Sequence, residues 1–192
     1  MNKKTDDRRV RKTKRVLRQA LAEILKTKSL KDVTVRELTD LADLHRGTFY
    51  IHYKDIYDLY EQIEIETLNE VRAILDNTVM EPYQLIYALL KYMEENAALF
   101  QMLLGENGDT SFMRQLTDII QEKCTAHLVE LFPNTPHPIL DAYACYVMSG
   151  CMGVVRRWSE NGMINQPKQV ALLLDQMAKN GFNLLKENTI KK

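Results

Sequence analysis

Between Val33 and Tyr53 the chain gathers side chains suited to a negatively charged, hydrogen-bonding surface. Arg46 carries a planar guanidinium whose paired N–H groups match the O6 and N7 acceptors of guanine. Thr48, Tyr50 and His52 follow at alternate positions and offer hydroxyl and imidazole donors for phosphates or base edges. Gly47 removes a side chain where a backbone could approach closely. Lys54 closes the run, placed so that its ammonium and the start of the following helix could both hold a phosphate. Upstream, Thr34-Val35-Arg36-Glu37 has the spacing of a capping box. The Thr34 hydroxyl accepts from the N–H of Glu37, and the carboxylate reaches back to the N–H of Thr34.

These side chains need rigid supports, and the hydrophobic spacing supplies them. Residues 1–7 are polar and expected to fray, and a first helix is predicted from Arg8 to Thr27. It buries Val10, Leu17, Leu21 and Ile24, with Arg9, Arg11, Lys12, Lys14, Arg15 and Arg18 on the opposite face. A two-turn helix follows the Thr34 cap with Leu38, Leu41 and Ala42 inward. Asp43-Leu44 makes a tight turn, and a third short helix covers Arg46 to His52. Two short helices joined by a tight turn and packed on a longer one form a helix-turn-helix, whose second helix can enter a major groove. Its motif spans about residues 33–53. A fourth helix over 55–77 carries Ile56, Leu59, Tyr60 and Ile63 on one face.

Further helices are expected from Pro82, up to Leu104-Gly105, over Thr110–Phe132, over Ile139–Glu160 and from Pro167 onward. The seventh has Phe112, Leu116, Ile119, Ile120 and Leu131 inward. The eighth closes on a left-handed cap at Asn161-Gly162. The last repeats at Val170, Leu174, Met177, Gly181 and Leu184. With 7 Gly and 5 Pro in 192 residues and no strand pattern, the expected fold is all-α. It divides into a three-helix head with the helix-turn-helix (8–54), a linking helix (55–77) and a larger helical C-terminal domain (78–192).

Charge supports the division. The net charge of zero conceals 15 Lys and Arg against 7 Asp and Glu in residues 1–54, a net of +8 balanced by −8 in the remainder. A basic head on an acidic body is the electrostatic layout of a DNA-binding module on a trunk that does not bind DNA. The opening fifteen residues are mostly charged or polar, so no secretory signal is expected and the location expected is cytoplasmic. The longest apolar run, Ala142–Val155, falls short of the roughly 20 residues of a bilayer span, so a buried helix and no membrane partner are expected. Cys124, Cys145 and Cys151 lack C-x-x-C spacing and read as reduced core thiols. No Gly-rich phosphate loop, H-E-x-x-H, G-x-S-x-G or di-iron Glu-x-x-His pair is present, so no metal, cofactor or catalytic residue is expected.

The C-terminal body is larger than DNA binding requires and rich in adaptable Met and aromatic residues. Met80, Met93, Phe100, Met102, Met113, Tyr143, Tyr146 and Met148 could line a ligand cavity, with plain core as the competing role. The pocket set is Met93, Phe100, Met113, Tyr143 and Tyr146. Ser149, Gly150 and Gly153 permit close helix approach. With Trp158 they form an expected dimer seam, although the chain's own last helix could occupy the same surface.

Thr34-Val35-Arg36-Glu37-Leu38 and Arg46-Gly47-Thr48-Phe49-Tyr50-Ile51-His52-Tyr53-Lys54-Asp55 together resemble the signature of the TetR family of regulators. Met148-Ser149-Gly150, Arg156-Arg157-Trp158 and Asn161-Gly162-Met163 resemble the later helices of many such proteins. The resemblance implies an all-helical homodimer reading a palindromic operator in double-stranded DNA and released by a small molecule. It implies Arg36 and Arg46 as base readers, Thr48, Tyr50 and His52 as backbone or base contacts, and Lys54 as a phosphate grip. Three positions depart from the pattern: Asp43 stands for the usual turn Gly, His45 for a Ser-like cap, and Ile56 for a second phosphate-binding Lys. Two alternatives stand beside the ligand-released repressor. One is a regulator whose body binds a protein coactivator, the other a helical enzyme or scaffold with an incidental basic head.

Overall fold

The computed structural model describes residues 3–77, 81–105 and 111–181, and all regular structure among them is helical. The helices are α1 (Lys3–Ile24), α2 (Val35–Leu41), α3 (Arg46–His52), α4 (Ile56–Asn77), α5 (Pro82–Glu95), α6 (Ala97–Leu104), α7 (Ser111–Leu131), α8 (His137–Glu160) and α9 (Pro167–Asn180), with a 3-10 turn at Leu30–Asp32. The all-α expectation and the element order hold. α1 already includes Lys3, ahead of the expected Arg8. It ends at Ile24, where N–H groups of Lys26 and Thr27 tighten onto the carbonyls three residues back. The expected helix start at Thr110, the cavity candidate Met80 and the inward Leu184 lie outside the described residues.

The chain forms two compact units, Met1–Thr67 with Ala98–Phe112, and Leu68–Ala97 with Met113–Lys192. In the first, the α1 stripe supplies Leu17 and Leu21 to the core. α4 supplies Ile56, Leu59, Tyr60 and Ile63, and Leu38, Phe49, Phe100, Leu103 and Phe112 complete it. Burying one such side chain is worth about 1.5–3 kcal/mol. The basic face of α1 is not wholly solvated. Lys14 reaches Glu66 on α4 at 3.1 Å, and Arg18 pairs with the other carboxylate oxygen.

α2 departs from its expected inward set. Leu41, its last residue, is 53% exposed, and Thr39 is buried instead. The Thr39 hydroxyl donates back to the carbonyls of Val35 and Arg36, so its burial leaves no donor unpaired. The turn after α2 is a Schellman motif. Leu44 N–H donates to Thr39 O, Asp43 N–H donates to Asp40 O, and Asp43 takes a left-handed φ of 51°. The same motif ends α8, with Gly162 at φ 74° and Met163 N–H donating to Trp158 O.

In the second unit α5 packs along α9; Leu85, Leu90 and Met93 are buried on the one helix and Val170, Ala171 and Leu174 on the other. A smaller cluster joins Leu128, Leu140 and Ala144 to Val129, Phe132, Ile139 and Tyr143. Leu131, at the end of α7, and Met177 are about half exposed, contrary to expectation. α8 is not the buried helix expected either. It has the length and composition to cross a membrane, yet only 28% of its most apolar stretch is buried. Of the cysteines, Cys145 is exposed, whereas burial pushes the Cys124 thiol up to about 11.

Candidate nucleic-acid interface

The presentation of α3 follows from its sidedness. Phe49 is wholly buried and Tyr53, just past the helix end, is 5% exposed, so these rings pin one side to the core. Their centroids lie 5.6 Å apart, and Tyr53 N–H donates to Phe49 O to close the helix. The other side faces outward at Arg46, Gly47, Tyr50 and Ile51, positions one helical turn apart in pairs. A Cβ on Gly47 would meet nothing within 4 Å, so the backbone there is open. Thr48 and His52 flank this face half-buried. His45 caps α3 without a side-chain bond.

Supporting caps fix the helix ends. Thr34 Oγ1 accepts from Glu37 N–H at 3.2 Å. Glu37 is held below its ordinary carboxyl value mainly by the Lys28 ammonium 2.6 Å away, and also by the Thr34 backbone. Arg36 is exposed and only loosely paired with Asp40 at 3.7 Å, a contact too weak to hold its guanidinium from another acceptor.

Lys54 is exposed, but its backbone N–H is already committed to Asp58 Oδ2 at 2.7 Å. Asp55 Oδ1 in turn accepts from Asp58 N–H at 2.8 Å. Two carboxylates thus cap α4, so the helix start offers a phosphate less than expected and the Lys54 ammonium remains the main grip. Ile56, where a second lysine would sit in the resembled pattern, is 4% exposed and belongs to the core. Behind the interface, burial foremost and then the Glu66 charge push the Tyr53 phenol up to about 12, so it stays neutral. The site as built is a donor-rich, cationic helix face able to receive phosphates and base edges. Ile51, 76% exposed, was missing from the expected set. The i, i+4 spacing from Gly47 was the signal that could have found it.

The expected pocket residues differ in burial and are divided between the two units. Phe100 is 1% exposed and stacks edge-on with Phe112 in the first unit. Met93 is buried in α5 of the second unit, and Met113 is half-buried. Tyr146 is 74% exposed on α8. Tyr143 is tied to α9, its hydroxyl donating to Ala178 O. Of the expected seam, Ser149, Gly150 and Gly153 lie exposed on α8, and a Cβ on either glycine would meet open space. Among the described residues, therefore, the chain's own last helix does not cover them. Trp158 is corrected to a core residue: it is 5% exposed, and its indole N–H donates to Asn165 O at 2.9 Å.

Comparison with known proteins follows the same lines. Residues 80–180 match a family model described as "Transcriptional regulator C-terminal region". The uncharacterised HTH-type transcriptional regulator YxbF of Bacillus subtilis is 20% identical over 164 residues, covering 81% of this chain. The chain spans only 42% of that protein's length. Among solved structures, NalD, the secondary repressor of the MexAB-OprM multidrug efflux pump in Pseudomonas aeruginosa, superposes with a TM-score of 0.67 at 16% identity. The match covers 90% of this chain and 97% of that one. DhaS, a dihydroxyacetone kinase operon activator, gives 0.63 at 13% identity, over 90% and 97%. At these identities the shared feature is the fold.

Proposed function

The chain belongs to the TetR family of transcriptional regulators, and on that premise we propose that it is a cytoplasmic, homodimeric repressor of a palindromic operator. A small, largely apolar ligand releases it. Residues 8–54 form the DNA-binding domain, 78–192 the regulatory and dimerisation domain, and α4 runs between them. The family consists of regulators, which sets the enzyme or scaffold alternative aside.

The observation that carries the proposal is α3, anchored by Phe49 and Tyr53 and exposing Arg46, Gly47 and Tyr50. Arg46 and Arg36 read base edges in the groove. Thr34, Thr48, Tyr50 and His52 contact the backbone or bases, and Lys54 holds a phosphate. Dimerisation is supported by the exposed Tyr146, Ser149, Gly150 and Gly153 of α8 and Leu172, Leu173 and Met177 of α9. The repressor role draws on the likeness to NalD. A second reading is an activator whose C-terminal body binds a protein coactivator; the likeness to DhaS, an operon activator, supports the activating role.

The test is selection of binding sites from random duplex DNA by the full-length chain, then titration from low to physiological salt. The expected log–log slope is about −0.9 per phosphate neutralised, and a flat line overturns DNA binding by the basic head. Apolar metabolites that raise the melting temperature should weaken binding to the selected site about 5- to 150-fold. A stabilising ligand that leaves site affinity unchanged overturns release.

A further inference from the structure

Ile51 is 76% exposed, on a helix that Phe49 and the following Tyr53 already pin to the core. A β-branched residue is a mediocre choice for an exposed helix position, and most of this one is left uncovered by the described residues. Its neighbours on the outward face are the guanidinium of Arg46, the open backbone of Gly47 and Tyr50, with the exposed Lys54 beyond. A helical side chain leans over the turn N-terminal to it, which places Ile51 above Gly47. No side chain stands at Gly47 to cover its methyl groups. The partner such a face meets is polyanionic and must still supply one small apolar group.

We propose that Ile51 is a specificity-determining residue that reads the 5-methyl group of a thymine in the major groove, selecting an A·T pair beside the pair read by Arg46. The thymine methyl is the apolar feature that distinguishes one base in that groove. The inference rests on the proposal that α3 reads duplex DNA and adds what it reads.

The experiment replaces each thymine of the selected site in turn with deoxyuridine, which keeps Watson–Crick pairing and lacks only the methyl. The full-length chain should lose affinity about fourfold at one thymine in each half-site, the worth of one buried methyl. Ile51→Ala should bind the thymine and deoxyuridine forms of that position alike, while keeping the salt dependence of the parent. Should I51A fail to melt cooperatively, Ile51→Val carries the same comparison, with reduced discrimination expected. A parent chain indifferent to every thymine, or a variant that keeps the parent's sensitivity, overturns the role of Ile51. A parent chain that selects no site at all overturns the regulator proposal itself.

Discussion

At the scale of single residues the head was largely legible, because its signals are local. The Thr34–Glu37 box is an i, i+3 pattern and forms as expected. A second pair with the same spacing, Asp55 and Asp58, is less legible, since an Asp–Asp pair beside a lysine reads as charge before it reads as a cap. Arg46→Ala should cost about 1–3 kcal/mol against the selected site and little against random duplex, measured by fluorescence anisotropy. Lys54→Ala should weaken both alike and make the salt slope shallower by about one phosphate. Asp58 carries a pH prediction. The Lys54 backbone N–H first, then the Gln62 amide, hold its carboxyl below the ordinary 3.8. A depressed carboxyl contributes stability that is present above the ordinary value and lost as pH falls through the folded one. Asp58→Asn should therefore flatten the acid limb of stability below pH 3.8, as followed by urea unfolding at a series of pH values.

Between elements, sequence patterns fall silent because the partners are distant. Glu66 meets Lys14 and Arg18 across 52 and 48 positions, and no periodicity joins them. The carboxylate lies close enough to Tyr53 to shift its phenol, and the Lys14 ammonium sits 6.0 Å over that ring. α1, α4 and the end of α3 thus share one polar junction. The groups are roughly a third exposed, so each pair is worth at most about 1 kcal/mol. Glu66→Lys should nonetheless destabilise the head through like-charge contact. Combining it with Lys14→Glu and Arg18→Glu should recover most of the loss, and denaturant midpoints decide it. Gly181 was expected as an inward position of α9 and is one for a reason of space. A Cβ there would lie 2.5 Å from the Tyr143 ring, which its hydroxyl pins to Ala178 O. Gly181→Ala should lower the melting temperature by dislodging that ring.

For the molecule as a whole, composition announced the helices but could not say which faces remain uncovered. The apolar run of α8 predicts a buried helix, but hydrophobicity alone does not say whether the chain's own core or another surface covers it. Its exposed stripe is the seam proposed for a second copy, since a two-fold contact is made by the same patch on both partners. Gly153→Glu should shift light scattering from dimer to monomer and cost most of the affinity for a palindromic site. A variant that stays dimeric removes α8 from the seam. The chain has 1 Trp, and it is Trp158, buried beside the turn that leads toward α9. Tryptophan fluorescence therefore watches the second unit alone, whereas far-ultraviolet dichroism watches every helix. If the two units melt separately, the two signals part company along the temperature axis, and a single coincident transition means they unfold as one. The protein carries its own reporter of whether head and body share a fate.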